Sequence, residues 1–94
     1  MNYNGIIQEL EGVVRARGIQ IRYEKGDFDG GYCVLKDQKV LVVNRRLHEM
    51  RRASILAVAL SEIGMDDVFV KPALRVFIED ETAKAGGSKM KGEV

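Results

Sequence analysis

The chain has 94 residues, of which 46% are hydrophobic and 31% charged, and its formal net charge is +1. This length suits one domain with a single core, and the composition excludes a disordered or fibrous protein. No apolar run approaches the roughly 20 residues that a membrane span needs, and the first residues lack the pattern of a secretory signal. Because a single cysteine cannot form an intramolecular disulfide, we expect a cytoplasmic protein.

An amphipathic helix is the first predicted element, over about 5–17, because apolar residues recur there at helical spacing. Asn4 is placed to cap this helix and Gly18 to end it. A half-buried strand follows over 19–24, where apolar and polar residues alternate.

The glycine- and aspartate-rich stretch 25–31 predicts a loop, in which Phe28 is the only large apolar residue. A β-hairpin is predicted next, with strands over 32–35 and 39–43. The second of these strands is unbroken apolar from Val40 to Val43, so we expect it to be central in the sheet.

A helix should begin between Leu47 and Met50 and end at Gly64, and from 55 to 60 it is apolar nearly all round, so we expect it to have neighbours on more than one side. The segment 68–70 then predicts a short strand or an extended segment packed on the core. Pro72 suits the first turn of a last helix, which the pattern supports to about Glu81.

The predicted fold class is α+β, with a three-stranded, mainly antiparallel sheet and two to three helices packed on it. The element order is helix, strand, strand, strand, helix, helix, and the short links between the strands favour an antiparallel meander. We expect residues 1–82 to form one domain and 83–94 to form a flexible C-terminal tail.

One stretch resembles a known family over roughly 28–64. The resemblance lies in three segments taken in order: Val40-Leu41-Val42-Val43-Asn44, Arg51-Arg52 and Leu56-Ala57-Val58-Ala59-Leu60-Ser61-Glu62. Short zinc-metallopeptidase domains of the ImmA/IrrE type are similar: a hairpin ends in an apolar strand plus Asn, and an arginine-containing link leads into a helix with Leu-Ala-His-Glu-Leu-Gly-His.

The chain departs from this family where the family has its chemistry. Val58 stands at the first zinc histidine, Ala59 at the general-base glutamate and Glu62 at the second histidine. A hydrolytic zinc site needs about three protein ligands and a base that activates water. The resemblance therefore implies a zincin-like scaffold without peptidase activity, and we expect no enzyme activity, metal or cofactor.

The arginines Arg45, Arg46, Arg51 and Arg52 form the densest charge cluster and are candidate ligand- or partner-binding residues. Phe28 is a further candidate, because a loop aromatic can contact a partner. His48 lacks a Cys or His companion and is interpreted as a surface or helix-start residue, and Cys33 as a buried structural cysteine.

These observations favour a small non-enzymatic domain that binds a protein partner or forms a homodimer. Nucleic-acid or acidic-ligand binding through the cluster at 45–52 is one alternative, although the charge excess is mild and aromatic interleaving is absent. A degenerate metallopeptidase-like scaffold is the other. We expect no membrane partner.

Overall fold

The structure, a computed structural model, describes the backbone of residues 2–93 and their side chains except those of 35 and 86–93. Its elements are α1 (Tyr3–Ala16), β1 (Gln20–Glu24), β2 (Gly30–Leu35), β3 (Gln38–Asn44), α2 (Glu49–Ile63) and α3 (Pro72–Glu93). The predicted α+β class and the predicted order of helices and strands are confirmed.

The strands form one mixed sheet in the order β1-β3-β2. β2 pairs antiparallel with β3, whereas β1 pairs with β3 in parallel, with Ile21 opposite Leu41. The prediction that β3 is central is confirmed, but the predicted meander is wrong, since a meander would place β2 in the middle. β3 carries the longest apolar run, and the central position gives that run a neighbour on each edge.

Asn44 holds the loop through which the chain crosses from β1 to the far edge of the sheet. Its side-chain amide donates hydrogen bonds to the backbone oxygens of Gly26 (2.8 Å) and Phe28 (2.6 Å), and its side-chain oxygen accepts one from the Arg46 backbone N–H (3.0 Å). Its own backbone N–H donates to the Asp29 oxygen at 2.8 Å. The loop 25–29 is thereby wrapped around the end of β3.

The hairpin turn consists of Lys36 and Asp37, which both have positive φ, at 47° and 71°. Two such residues in succession are the signature of a type I′ turn, whose twist matches that of the flanking strands. Gln38 already belongs to β3. The predicted hairpin is therefore confirmed, with a turn one residue shorter than its polar sequence indicates.

The core lies between one face of the sheet and the helices, and α2 packs against both α1 and α3. Neighbours on more than one side are what the apolar stretch 55–60 of α2 predicts. The fully buried large side chains are Leu10, Val14, Val40, Leu41, Val43, Leu56, Leu60 and Ile78.

The helix ends follow local chemistry. Asn2, and not the predicted Asn4, caps α1 by accepting a hydrogen bond from the Gly5 backbone N–H at 3.1 Å. Gly18 and Gly64 follow α1 and α2 with φ of 78° and 95°, so both predicted terminators are confirmed.

The last helix, α3, extends past the predicted end at Glu81 to Glu93. The side chains of 86–93 lie outside the described residues, and the flexible tail over 83–94 stays a prediction. Between residues 2 and 93, no helix combines the length and apolar character needed to cross a membrane.

A polar contact ties α1 to the sheet. The Tyr23 hydroxyl on β1 donates a hydrogen bond to a carboxylate oxygen of Glu11 on α1. Burial of the ring, together with this bond to a carboxylate, raises the pKa of Tyr23 well above its ordinary value near 10. The neutral phenol is therefore the form that the folded state stabilises.

Candidate functional site

The four predicted arginines do not converge on one site. Arg45 and Arg46 are exposed in the turn after β3. Arg51 forms an ion pair with Asp29 at 2.6 Å. Arg52 is half-buried and lies on the side of α2 that faces Tyr23. The positive charge of Arg52 acts to lower the pKa of Tyr23. Because consecutive helix positions point about 100° apart, Arg51 and Arg52 face different neighbours.

Phe28, the fifth predicted contact residue, is 38% exposed and does not belong to the described core cluster. Its ring lies over Gly26, where a built Cβ would approach the ring to 2.3 Å. The bonds of Asn44, rather than Phe28, therefore hold the loop to the body. Phe28 remains available at the surface beside the Arg51–Asp29 pair.

A groove runs between α2 and the edge strand β2, with a volume of about 180 Å³. We call it the α2–β2 groove. Its lining includes Gly30, Gly31, Tyr32, Leu41, Arg51, Ser54, Ile55, Val58, Ala59 and Glu62. The three positions that the resemblance aligns with zinc chemistry, Val58, Ala59 and Glu62, thus face one groove.

The floor of this groove depends on the absence of a side chain at Gly30. A Cβ there would lie 2.6 Å from the backbone oxygen of Val42 and 3.1 Å from the side chain of Ile55. Leu41 and Ala59 are buried beneath it. These contacts show that the groove lining is also part of the packing between the sheet and α2.

Candidate metal ligands do not cluster: among the described residues, no three His, Cys, Asp or Glu side chains lie close enough to share a metal ion. His48 caps α2, with its Nδ1 accepting a hydrogen bond from the Met50 backbone N–H at 3.3 Å. Cys33 is a free thiol on β2 that is half-buried and not buried as predicted. The interpretation of His48 as a helix-start residue is confirmed.

The most exposed of the large apolar side chains in the described part of the chain is Phe69, at 81%. It belongs to the segment between α2 and α3, and its neighbour Val70 is buried. Beside it lies a depression of about 410 Å³ against one face of α1. The apolar lining consists of Gly12, Val13, Ala16, Val68, Phe69 and Leu74, and we call this surface the Phe69 face.

Two ion pairs at the surface link the segment that carries Phe69 to α1 and to the residue that follows α1. Lys71 Nζ lies 2.7 Å from Glu9 Oε1, and Arg17 Nη1 lies 3.3 Å from Asp67 Oδ2. The hydrogen bond and charge of Glu9 raise the pKa of Lys71. Since residue 9 meets 71 and residue 17 meets 67, α1 and the segment run side by side in opposite directions, with Phe69 midway.

Sequence reasoning missed the Phe69 face. Three apolar residues in a row, 68–70, predict a segment packed on the core, and Val70 does pack there. The missed signal is alternation: in an extended segment, neighbours of an inward-facing residue point outward. Gly12 was a second signal, because a glycine inside an amphipathic helix lowers helix stability and leaves a flat surface.

Comparisons of the chain with protein-family models, with curated proteins and with solved structures found no match.

Proposed function

We propose that this chain is a non-enzymatic protein-interaction domain whose binding surface is the Phe69 face. The observation that carries the proposal is a phenylalanine ring held 81% in solvent beside an apolar depression. Aromatic side chains that enter a pocket are the commonest energetic anchors of protein interfaces. A contiguous apolar surface with a polar rim is typical of such interfaces.

The fixed position of Phe69 supports the same function. Both ends of its segment are joined to α1 by ion pairs, and Val70 anchors the middle in the core. A segment whose backbone is already positioned loses less conformational entropy when it binds. The single cysteine supports a cytosolic setting for this domain.

Site-specific photocrosslinking tests this proposal in cells. A benzophenone amino acid at position 69 should give a discrete crosslinked product, because the side chain lies in the interface. The matched control is position 34, where Val34 is also exposed but lies on β2. The Gly12→Gln substitution, which fills the depression, should abolish the product at 69. Equal crosslinking from 69 and 34 would contradict the proposal.

The arginine alternative has less support. Arg51 is engaged by Asp29, and Arg52 faces another side of α2, which leaves Arg45 and Arg46 as the exposed members. A nucleic-acid site of this kind predicts binding that weakens steeply with salt and with the double change Arg45→Ala and Arg46→Ala. Such binding, if observed at physiological salt, would favour the alternative over the protein-interaction proposal.

A degenerate metallopeptidase-like scaffold is the other alternative, and the three positions it concerns, Val58, Ala59 and Glu62, line one groove. Activity is a separate matter, because a valine and an alanine supply neither a metal ligand nor a base. Thermal unfolding with and without added zinc tests this point. We expect the same midpoint in both conditions, and a zinc-dependent rise would contradict the expectation that the chain binds no metal.

A further inference from the structure

We propose that the Phe69 face binds a second copy of this chain about a two-fold axis that runs parallel to α1. This inference rests on the proposed function and names its partner. In such an isologous contact, each copy offers the same surface, so every feature must find its complement on that surface. The Phe69 face carries complementary features in both shape and charge.

The shape is self-complementary because a protrusion stands beside a depression. Phe69 projects from one side of the face, and Gly12, Val13 and Ala16 line the other side. The depression, about 410 Å³, exceeds the roughly 150 Å³ that accommodates a benzene ring in an apolar cavity. A rotation about an axis lying between α1 and the segment 67–71 places each Phe69 ring over the partner's α1.

Gly12 makes this approach close. A Cβ built at Gly12 meets no atom within 4 Å, so the surface above it is open. Glycine on the face of a helix lets another chain approach the backbone. A longer side chain at this position would extend into the depression from within the same copy, and its Cβ would meet no neighbouring atom within 4 Å.

The charges on the rim are self-complementary under the same rotation. Glu9 lies on α1 and Arg17 directly follows this helix, and Lys71 and Asp67 lie opposite them on the segment. The two-fold axis exchanges the sides, so Glu9 of each copy meets Lys71 of the other, and Arg17 meets Asp67. Opposite charges therefore face each other at both ends, which sets the register of the two copies.

Sedimentation velocity from about 5 µM to about 1 mM tests the dimer, a range that covers weak and moderate self-association. We expect wild type to shift from monomer to dimer. Phe69→Ser should raise the dissociation constant about thirtyfold, as loss of an aromatic anchor does. Val34→Ser is the control and should leave it unchanged. A wild-type monomer at every concentration, or a dimer insensitive to Phe69→Ser, would overturn the inference.

Gly12→Gln separates association from folding. Glutamine is a better helix former than glycine, so the variant should unfold at a higher temperature while its dimer is lost. A stable variant that still forms dimers with wild-type affinity would show that the depression is not occupied, which would overturn the inference.

Two charge reversals test the axis. Lys71→Glu makes the Glu9 end of the rim wholly negative, and Glu9→Lys makes it wholly positive, so each variant alone should be monomeric. Their equimolar mixture should form a heterodimer, because each Glu9–Lys71 contact across the axis again joins opposite charges. Both side chains are exposed, so folding should persist. A mixture that stays monomeric would overturn this two-fold arrangement.

The crosslinking experiment distinguishes failure of this inference from failure of the proposed function. A product at position 69 that contains two copies of the chain supports both. A product with a different protein, together with a monomer in sedimentation, overturns the dimer but retains the interaction function. Absence of a specific product at 69 contradicts both.

Discussion

The α2–β2 groove and the Phe69 face are both depressions beside a helix, but they differ in whether the fold requires them. The groove is floored by Leu41 and Ala59, which are buried, and by Gly30, whose backbone lies against Val42. The Phe69 face exposes a ring that the core does not use. A depression whose lining is needed for packing is explained by the fold, whereas a large aromatic side chain held in water indicates a binding role.

This comparison predicts a separation of effects. Changes beneath or within the α2–β2 groove should lower the free energy of unfolding. Changes on the Phe69 face should lower association and leave the free energy of unfolding of the monomer nearly unaltered. Each prediction below tests one side of that separation, beginning with the largest effect.

The largest expected effect is that of Leu60→Ala on the buried side of α2. Leu60 is fully buried, so the substitution removes apolar contacts and leaves a cavity. We expect a loss of about 3 kcal/mol in the free energy of unfolding, measured by urea denaturation. A loss below about 1 kcal/mol would mean that the packing around α2 is looser than its burial indicates.

Gly30→Ala should have the next largest effect. The added methyl group would lie 2.6 Å from the Val42 backbone oxygen, so β2 must shift away from β3. We expect a loss of about 2 kcal/mol, in the range of overpacked sites. The neighbouring Gly31→Ala is the control, since its Cβ meets nothing within 4 Å. It should change the free energy of unfolding by less than about 0.5 kcal/mol. Equal losses from the two variants would contradict the close approach at Gly30.

A pH dependence should come from Tyr23, which ties β1 to the helix bearing the Phe69 face. Because the folded state raises the pKa of this phenol, the unfolded state loses its proton first, near pH 10. The contribution of the neutral Tyr23 phenol to the free energy of unfolding is therefore fully present below that pH and falls as pH rises. Between pH 9 and pH 11 we expect wild type to lose about 1 kcal/mol more than Tyr23→Phe, a value reduced for the partial exposure of the ring. Parallel pH profiles would contradict this account.

The smallest effect on stability should be that of Phe69→Ser. Its ring is mostly exposed to solvent and lies outside the core, so the free energy of unfolding of the monomer should change by less than about 0.5 kcal/mol. Denaturation should be measured at a protein concentration below the dimer midpoint, since association stabilises the folded state. A loss comparable to that of Leu60→Ala would assign Phe69 to the core and remove the contrast between the two surfaces.

Local patterns in the sequence predict much of this fold. Alternation over β1, helical spacing in α1 and α2, and the glycines after both helices indicate elements that the structure confirms. These signals are readable because each depends on residues close together in the chain. The position of β1 beside β3 cannot be predicted from local patterns, since it depends on the hydrogen bonds that Asn44 donates to the backbone of the loop 25–29.

The candidate site was harder to predict because it, too, depends on contacts between residues that are far apart in the chain. Charge density along the chain pointed to Arg45, Arg46, Arg51 and Arg52, yet neighbouring helix positions diverge in space. The Phe69 face joins the region of α1 to a segment 50 or more residues later, through the pairs Glu9–Lys71 and Arg17–Asp67. Nothing local in either stretch indicates its partner.

The parallel pairing of β1 with β3 also has a kinetic consequence. The β2–β3 hairpin closes between Leu35 and Gln38, whereas β1 must bring Gln20 to Val40 across the whole hairpin. Local contacts form faster than distant ones, so β1 should dock after the hairpin has formed. Until β1 docks, one edge of the apolar β3 strand can pair with other chains. Aggregation is therefore expected chiefly during this stage of folding, when newly made chains are close together.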